Sequence, residues 1–381
     1  MEFNLSESQI EIQKLARDFS QTKVVPKAGY YDESQDFPWE FTKELGEMGF
    51  MGIMFPEEYG GANLTTMEYV IIVEEISKAD ASLGLTVASH NGLCTNHIYL
   101  FANEELKKKY MPDLTSGRKL GAWGLTENVS GSDAAGMKTS AVKQDEYYIL
   151  NGSKSFITQG GVGETAVITA VTDKDKGPKG ISAFILEKGY KGFSVGKKEN
   201  KLGMRSSDTC ELVFEHCKVP AENLIGIEGE GFKQAMQVLN GGRISIAALS
   251  VGIAQAALDA SVKYAKTRKQ FGKSLAEFQG IQFKLADMAT EIEAARLLTY
   301  KAAVMKDEGK DFSFAASLAK YYASEIATKA TNEAVQIHGG YGFIKEFPVE
   351  RYYRDVKLCT IGEGTSEIQK IIMARQLVEQ Y

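Results

Sequence analysis

The chain is poor in the residues that build metal centres and covalent cross-links. Four cysteines and four histidines are scattered through 381 residues, and no two cysteines form a CxxC pair. Zinc sites and disulfide frameworks depend on clusters of such residues. We therefore expect no bound metal and no disulfide bonds, and a reducing compartment, the cytoplasm, is the default location.

An excess of basic residues is also missing. Lysine and arginine together number 44 against 50 aspartates and glutamates, which gives a net charge of −6. A protein that neutralises nucleic-acid phosphates needs a positive face. Nucleic-acid binding is therefore not expected, and the lysine run 107–109 is more typical of a solvated helix surface.

The sequence shows no targeting or membrane-spanning signal. Residues 1–5, Met-Glu-Phe-Asn-Leu, have neither a basic n-region nor an apolar h-region. No apolar run reads as long enough to cross a membrane. We therefore predict neither secretion nor membrane insertion.

The composition that remains is ordinary for a globular protein, with 44% hydrophobic and 25% charged residues. A chain of this length is sufficient for two or three domains. Its pattern changes twice, which predicts a helical N-terminal domain over residues 1–118, a β domain over 119–226 and a helical C-terminal domain over 227–381.

The first zone has the pattern of helices. The segment Ser6-Glu7-Ser8-Gln9 fits an N-terminal capping box, and apolar residues follow it at helical spacing. Residues 38–48 and 65–77 show a similar pattern, and the loop 55–61 separates them.

The middle zone consists of short apolar or alternating runs separated by Gly, Asp and Lys. The clearest runs are residues 146–152, 166–171, 181–186 and 211–214. Because no helical crossovers separate these strands, the pattern favours a barrel or sandwich over a parallel sheet.

Long helices return after Gly229. Apolar residues step by three and four along residues 246–257 and 281–299. We predict a four-helix bundle whose helices are joined at residues 268–278 and 307–312.

A lone carboxylate stands between two glycines near the C-terminus. Glu363 lies in the segment Ile-Gly-Glu-Gly-Thr-Ser, residues 361–366, after the glycine-rich turn 336–342. A glutamate that reaches into a dry pocket has a raised pKa and can act as a base. The same letters also fit a helix C-cap followed by an N-cap, in which Thr365 or Ser366 caps the last helix and Glu363 is solvated.

Three separated motifs combine with the helical, β, helical order. They are residues 123–133 (WGLTENVSGSD), residues 155–158 (SFIT), and residues 336–363, which include Glu346, Arg351 and Asp355. Together they closely resemble the acyl-CoA dehydrogenase family, short-chain or butyryl-CoA dehydrogenases in particular, and the resemblance spans essentially the whole chain.

The resemblance implies a mainly α, α+β fold with a helical domain, a middle β-barrel and a four-helix bundle, usually in a homotetramer. It implies an FAD flavoenzyme that converts an acyl-CoA thioester to a trans-2-enoyl-CoA and passes electrons to electron-transferring flavoprotein. An enoyl-CoA reductase or an acyl-CoA oxidase would use the same residues. A CoA-binding scaffold without chemistry is a further alternative, against which an intact Glu363 argues.

In the reaction that the resemblance implies, Glu363 matches the family's catalytic base. Gly364 matches a position that lets the thioester approach the backbone. In the family the backbone N–H of the base and a flavin hydroxyl polarise the thioester carbonyl. Some members carry the base immediately before an arginine on the first helix of the C-terminal domain. That position is Gly242 here, ahead of Arg243, and it cannot hold a base.

The resemblance also implies the cofactor and substrate contacts. The family positions that contact the flavin half of FAD correspond here to Trp123, Leu125, Thr126, Ser132, Phe156 and Thr158. The family positions that contact the adenine and pyrophosphate half, often that of a neighbouring subunit's FAD, correspond here to Arg268, Phe271, Gln279, Gln336, Gly339 and Gly340. Thr365 and Glu367 match cofactor contacts at the start of the last helix. The acyl-CoA contacts match Ser132, Asn240, Arg243 and Gly364.

Three departures from the family pattern are visible. Asn240 replaces a frequent aspartate, Asn128 replaces a proline, and Gly362 replaces the aromatic residue that commonly precedes the base. Because the ring is missing, the pocket should be wider near the reacting carbons. We therefore expect tolerance of a branched or cyclic acyl group.

Overall fold

The computed structural model of the protein describes residues 4–380. Met1, Glu2 and Phe3, part of the segment on which the leader prediction rests, and Tyr381 lie outside the described residues. Between residues 4 and 118 the structure has seven α-helices: α1 Glu7–Phe19, α2 Ala28–Ser34, α3 Trp39–Glu47, α4 Thr66–Ala79, α5 Ala81–Ser89, α6 Asn96–Phe101 and α7 Glu104–Thr115.

Local sequence signals set the starts of these helices. Ser6 caps α1 in a capping box with Gln9, as the sequence predicts. Thr65 caps α4 in the same way. The two helices predicted at residues 38–48 and 65–77 are confirmed as α3 and α4, within two residues at each end.

The middle zone is one seven-stranded sheet. Its strands are β1 Gly121–Gly124, β2 Ser140–Gln144, β3 Tyr147–Thr158, β4 Thr165–Val171, β5 Ile181–Glu187, β6 Phe193–Lys198 and β7 Thr209–Pro220. The four predicted runs are confirmed as parts of β3, β4, β5 and β7.

The sheet is mostly antiparallel and curls over its own core. The strands follow the order β1-β4-β2-β3-β7-β6, with β5 also paired to β4, and the parallel pairs are β1–β4 and β2–β4. Side chains from β1 to β5 and from β7 meet in one hydrophobic cluster. The sheet therefore folds around that cluster and does not lie flat.

The C-terminal zone is built on long helices. They are α8 Gly231–Thr267, α9 Gln279–Asp307, α10 Ser313–His338, α11 Val349–Asp355 and α12 Ser366–Gln380, with a short hairpin of β8 Lys269–Gln270 and β9 Lys273–Ser274. The predicted joints at residues 268–278 and 307–312 are confirmed. The domain boundaries at 118 and 226 stay a prediction.

The N-terminal and C-terminal helices share one hydrophobic core, which contains much of α4, α8, α9 and α10. Polar contacts cross the same junction. The Asp307 carboxylate accepts from the N–H groups of Thr66 and Met67 at 2.8 and 3.0 Å, which satisfies the start of α4. Arg296 Nε lies 2.9 Å from Glu74 Oε1 in a largely buried ion pair.

Helix α8 corrects one expectation. By length and composition it passes the test for a membrane-crossing helix, so the statement that no apolar run reaches that length was wrong. Most of its apolar window is buried inside the protein. The central helix of a large core is apolar around its whole circumference, which explains the signal.

Candidate active site

Glu363 stands on a tight turn between a short 3₁₀ segment, Val356–Thr360, and α12. Its φ of 52° and the φ of 94° at Gly364 are both left-handed, which is uncommon for a glutamate. Thr365 Oγ1 accepts from the Ile368 N–H at 3.3 Å and so caps α12. The prediction that Thr365 or Ser366 caps the last helix is therefore confirmed for Thr365. The solvated Glu363 side chain that accompanied this cap in the same interpretation is not observed, because Glu363 Oε2 is buried.

The Glu363 carboxyl group points into the protein. The residue is only partly buried, but its Oε2 atom is buried and has no hydrogen-bond partner among residues 4–380. Desolvation raises the pKa of Glu363 to about 7, against the opposing charges of Lys320 and Arg243. A carboxylate with a pKa near neutrality is suited to general-base catalysis.

The turn is fitted against a glycine of α8. A Cβ atom added at Gly242 would overlap Glu363 Oε2 and would approach Leu93 Cδ2 at 3.3 Å. The position at which some family members are expected to carry the base therefore faces the Glu363 carboxyl group directly. Gly242 cannot supply a base itself. Because it has no side chain, it also leaves the space that the Glu363 carboxylate occupies.

Two predicted substrate residues lie beside this contact. Arg243 Nη1 donates to Asn240 Oδ1 at 2.6 Å and approaches Ser317 Oγ at 3.5 Å. Burial lowers the pKa of Arg243 to about 10, while the charge of Glu363 raises it. The structure therefore brings together Glu363, Gly364, Asn240 and Arg243, although their roles toward a substrate stay predictions.

Lys320 was missed by the sequence reasoning. It lies fully buried on α10, and its Nζ donates to the Gly364 carbonyl at 2.7 Å. The available signal was a single lysine on a face that otherwise carries small residues, Ala316, Ala319 and Ala323. Such a pattern indicates a buried charge with a specific partner.

The two motifs of the sheet lie side by side. The Ser155 N–H donates to the Thr126 carbonyl at 2.8 Å, and Ser155 Oγ donates to Asn128 Oδ1 at 2.9 Å. Asn128 therefore supplies a side-chain bond where the family pattern has proline. Phe156 has a left-handed φ of 59° and is 63% exposed, so a large aromatic ring projects from β3 into open space.

A buried ion pair supports this region. Lys154 Nζ lies 2.8 Å from Glu127 Oε1 and 3.0 Å from the Leu125 carbonyl, with Lys154 fully buried. The other Glu127 contacts run to the N–H groups of Lys138 and Thr139. The pair therefore ties residues 125–127 to β3 through Lys154 and to residues 138–139 through Glu127.

The sheet motif also meets α8 near the base. Leu125 shares a small hydrophobic cluster with Ala235 of α8, and Trp123 and Leu239 pack against it. Asn240 follows Leu239 directly, so Trp123 and Leu125 lie against the same helix that carries Asn240 and Gly242. Ser132 lies on the exposed turn after this strand, and Thr158 is half-buried at the end of β3.

A second group of predicted cofactor residues lies elsewhere. Arg268 follows the end of α8, roughly 39 Å from Gly242 along the helix axis at 1.5 Å per residue. It lines a cleft of about 490 Å³ together with Gly339, Gly340 and Tyr341. The remaining predicted residues, Phe271, Gln279 and Gln336, are exposed.

Thr365 and Glu367 form a third location, at the start of α12 beside the base. Glu367 is exposed. The structure therefore places Trp123 and Leu125 against the helix that carries Gly242 and Arg243, while the Arg268 cleft lies at the far end of that helix.

The fold and the site together define a class of protein with helical N- and C-terminal parts around a middle sheet, and with a glutamate carboxyl group whose pKa burial raises toward neutrality. Three family models match the chain in order. They are the acyl-CoA dehydrogenase N-terminal domain over residues 6–118, the middle domain over 122–217 and the C-terminal domain over 229–378. The chain belongs to the acyl-CoA dehydrogenase family.

Similar proteins match from end to end. The short-chain-specific acyl-CoA dehydrogenase of Clostridium acetobutylicum is 49% identical over 99% of this chain and 100% of its own. The solved butyryl-CoA dehydrogenase of Megasphaera elsdenii has a TM-score of 0.98 and 49% identity, covering 99% of this chain and 100% of that one. The caffeyl-CoA reductase–Etf complex subunit CarC of Acetobacterium woodii is 45% identical over 98% of this chain and 99% of its own.

Membership of this family makes the chain an FAD flavoprotein, and two features of the structure fit that cofactor. The exposed Phe156 ring, with the partly exposed Trp123 and Thr126, provides contact surface for an isoalloxazine ring. Gly339 and Gly340 have open space where a Cβ would lie, next to the Arg268 guanidinium, which suits an adenosine diphosphate.

Proposed function

We propose that Glu363 is the base with which this acyl-CoA dehydrogenase removes the α proton of an acyl-CoA thioester. The observation that carries the proposal is the buried, unpartnered Glu363 Oε2 atom, held against Gly242 with a pKa near 7. A base whose pKa lies near the working pH combines a large ionised fraction with a strong pull on the proton. The proton would pass from the α carbon to the Glu363 carboxylate.

The turn itself would serve the thioester. Gly364 adopts a left-handed φ and carries no side chain, so the backbone can approach the ligand closely. The Glu363 N–H on the same turn would donate to the thioester carbonyl oxygen, where negative charge develops. Asn240 and Arg243 would orient the substrate beside it, and Ser132 would contact it from the sheet side. FAD, when bound, supplies the acceptor for the hydride that leaves the β carbon.

The cofactor contacts are proposed residue by residue. The flavin half would be held by Trp123, Leu125, Thr126, Ser132, Phe156, Thr158, Thr365 and Glu367, and the adenosine diphosphate half by Arg268, Phe271, Gln279, Gln336, Gly339 and Gly340. The Lys154–Glu127 ion pair supports the first set, because it fixes the Leu125 carbonyl.

The Arg268 cleft supports a proposal about assembly. One FAD molecule is too short to reach both the Glu363 site and a cleft roughly 39 Å away along α8. The cleft would therefore hold the FAD of a second subunit, in a homotetramer. Light scattering should give four times the 41.8 kDa of the chain. A monomer with a full complement of FAD would contradict this proposal.

Electron-transferring flavoprotein is the proposed electron acceptor. A 45% identical relative carries this partner in its name, as a subunit of a reductase–Etf complex. Protein reduced by substrate should be reoxidised faster by electron-transferring flavoprotein than by oxygen. Rapid formation of hydrogen peroxide would instead favour the oxidase alternative.

A cytoplasmic location is proposed on the state of the cysteines. All four, Cys94, Cys210, Cys217 and Cys359, are free and buried. Free thiols are typical of a reducing compartment. Fractionation of cells that express the protein would test this proposal.

The reductase direction is the second candidate function. The same 45% identical relative is named as a subunit of a caffeyl-CoA reductase complex, which supports reduction of an enoyl-CoA as the alternative. Reoxidation of the chemically reduced protein by crotonyl-CoA or cinnamoyl-CoA would measure this direction. Net turnover with a physiological electron carrier decides which direction prevails.

The reaction itself is tested by anaerobic titration of the FAD-loaded protein with butyryl-, octanoyl-, isobutyryl- and cyclohexanecarbonyl-CoA. We expect at least one ester to bleach the flavin absorbance. A protein that binds no FAD would contradict the proposal and revive the scaffold alternative. A flavoprotein that none of the esters bleaches, and that enoyl esters do not reoxidise, would contradict it as well.

The substitution Gly362→Tyr should narrow the acyl preference. An added Cβ would meet Leu358 at 3.5 Å or more, an ordinary contact, so the backbone should tolerate the side chain. The new ring would fill space next to Glu363. We expect kcat/KM for cyclohexanecarbonyl-CoA to fall about 10-fold or more relative to butyryl-CoA, which matches the steric discrimination typical of apolar pockets.

The matched control is Ile361→Tyr, which adds a comparable ring one residue away, where the side chain is 53% exposed. This variant should keep the wild-type preference. An unchanged ratio in Gly362→Tyr would end the idea that Gly362 widens the pocket.

A further inference from the structure

The Lys320 ammonium is buried directly behind the base. Lys320 has no exposed surface, and within residues 4–380 no carboxylate oxygen lies close enough to its Nζ to form a salt bridge. Its hydrogen bond runs to the Gly364 carbonyl at 2.7 Å. A buried ammonium without an ion-pair partner is costly, so this arrangement calls for a reason.

We propose that Lys320 is a positioning residue for Glu363, which holds the turn through the Gly364 carbonyl and places a positive charge behind the carboxylate. The inference rests on the proposed role of Glu363 as the base. Lys320 would touch neither substrate nor cofactor, and it would act only through the Glu363–Gly364 turn.

The mechanical part of the role follows from the backbone. Glu363 and Gly364 both have left-handed φ values, a conformation that needs support when a glutamate adopts it. Gln369 Nε2 donates to the Gly364 carbonyl at 3.0 Å, from α12. Lys320 donates to the same oxygen from α10, so two elements hold the turn from different sides.

The electrostatic part follows from what surrounds the ammonium. The charged or titratable groups that face Lys320 are Glu363 on the turn, Arg243 on α8, Cys359 on the 3₁₀ segment and Glu325 on α10 itself. Glu325 already accepts from Ser366 Oγ at 2.6 Å, whereas Glu363 Oε2 has no partner in the described chain. In a dry interior a nearby cation strongly favours the ionised form of a carboxyl group.

The Lys320 charge and the burial of Glu363 act on the pKa of the base in opposite directions. Desolvation raises the pKa of Glu363 and the Lys320 charge lowers it. Burial lowers the pKa of Lys320 to about 8, so the side chain remains largely protonated at pH 7. Without this charge the base would be mostly protonated, and therefore inactive, at neutral pH.

The test is the pH profile of anaerobic flavin bleaching, measured in a single turnover with a saturating acyl-CoA. Lys320→Gln keeps an N–H donor but removes the charge, and Lys320→Met removes both. We expect both variants to shift the apparent pKa of the base upward by about one unit, from about 7 toward 8, with a roughly 5-fold slower rate at pH 7 that recovers near pH 9. Lys329→Met, an exposed lysine on the same helix paired with Glu291, should leave the profile unchanged.

Several outcomes would overturn the inference. One is a Lys320→Gln protein that holds FAD and keeps the wild-type profile, and another is a uniform loss of rate without a shift, which a purely structural role would produce. Should neither variant fold, the wild-type profile decides. A base pKa of about 8–9, the range known for buried glutamates without a partner, would mean that the cation is not felt. Bleaching that survives in Glu363→Gln would instead remove the proposed base itself.

Discussion

The substitution Glu363→Gln should reduce the rate of flavin bleaching by acyl-CoA by about 10²–10⁴-fold, the usual contribution of a general base. The amide has nearly the same shape as the carboxylate but cannot accept the α proton at neutral pH. FAD content and acyl-CoA binding should be retained, because the turn backbone is unchanged. Stopped-flow absorbance under anaerobic conditions measures the rate.

Stability provides a second readout for the same variant. The raised pKa of Glu363 favours the folded state at low pH, and this contribution is lost as the pH rises from about 4.5 toward 7, where the buried carboxyl group ionises. The glutamine variant lacks this pH dependence, so its melting temperature at pH 7 should equal or exceed that of the wild type. Glu105→Gln, which changes an exposed glutamate of α7, is the control.

Wild-type bleaching in Glu363→Gln would assign the base elsewhere.

The second large effect is expected for Gly242→Ala. The added methyl group would overlap Glu363 Oε2, so the carboxylate would have to leave its position. A misplacement of the order of 1 Å in a catalytic group costs about 10²-fold in rate. We expect a loss of this size in the bleaching rate, with FAD still bound.

The control for this substitution is Gly280→Ala in α9, where a Cβ would meet nothing within 4 Å. Both changes replace glycine in a helix, which by itself favours the helix by about 1 kcal/mol. The two variants differ in what the added methyl group meets, which is Glu363 and, at 3.3 Å, Leu93 in Gly242→Ala and nothing within 4 Å in Gly280→Ala. Equal activity in the two variants would show that the carboxylate does not depend on the space at Gly242.

Features that depend on local sequence were predictable. The capping box at Ser6 and the two joints of the bundle follow from short-range signals, and the structure places them as predicted. The glycines around Glu363 indicated an unusual turn, and the φ values confirm it. The local pattern could not choose between a base and a helix cap, and Thr365 does cap α12.

Features that depend on the packing of distant elements were not predictable. Lys320, Gly242 and Glu363 lie on three different elements, and nothing in their spacing indicates that these elements meet. The hydropathy of α8 was also misjudged, because a helix that is buried on all sides has no polar face to mark it. The separation of the Arg268 cleft from Glu363 follows from the length of α8, which runs unbroken from Gly231 to Thr267.

The core shared by the first and last helices has a consequence for biosynthesis. Glu74 and the start of α4 obtain their partners, Arg296 and Asp307, only after more than two hundred further residues have been added. At a synthesis rate of about 5–20 residues per second, the apolar α4 waits roughly 10–50 s on the ribosome. We expect the nascent N-terminal segment to need shielding by a chaperone during this interval, although the finished protein does not.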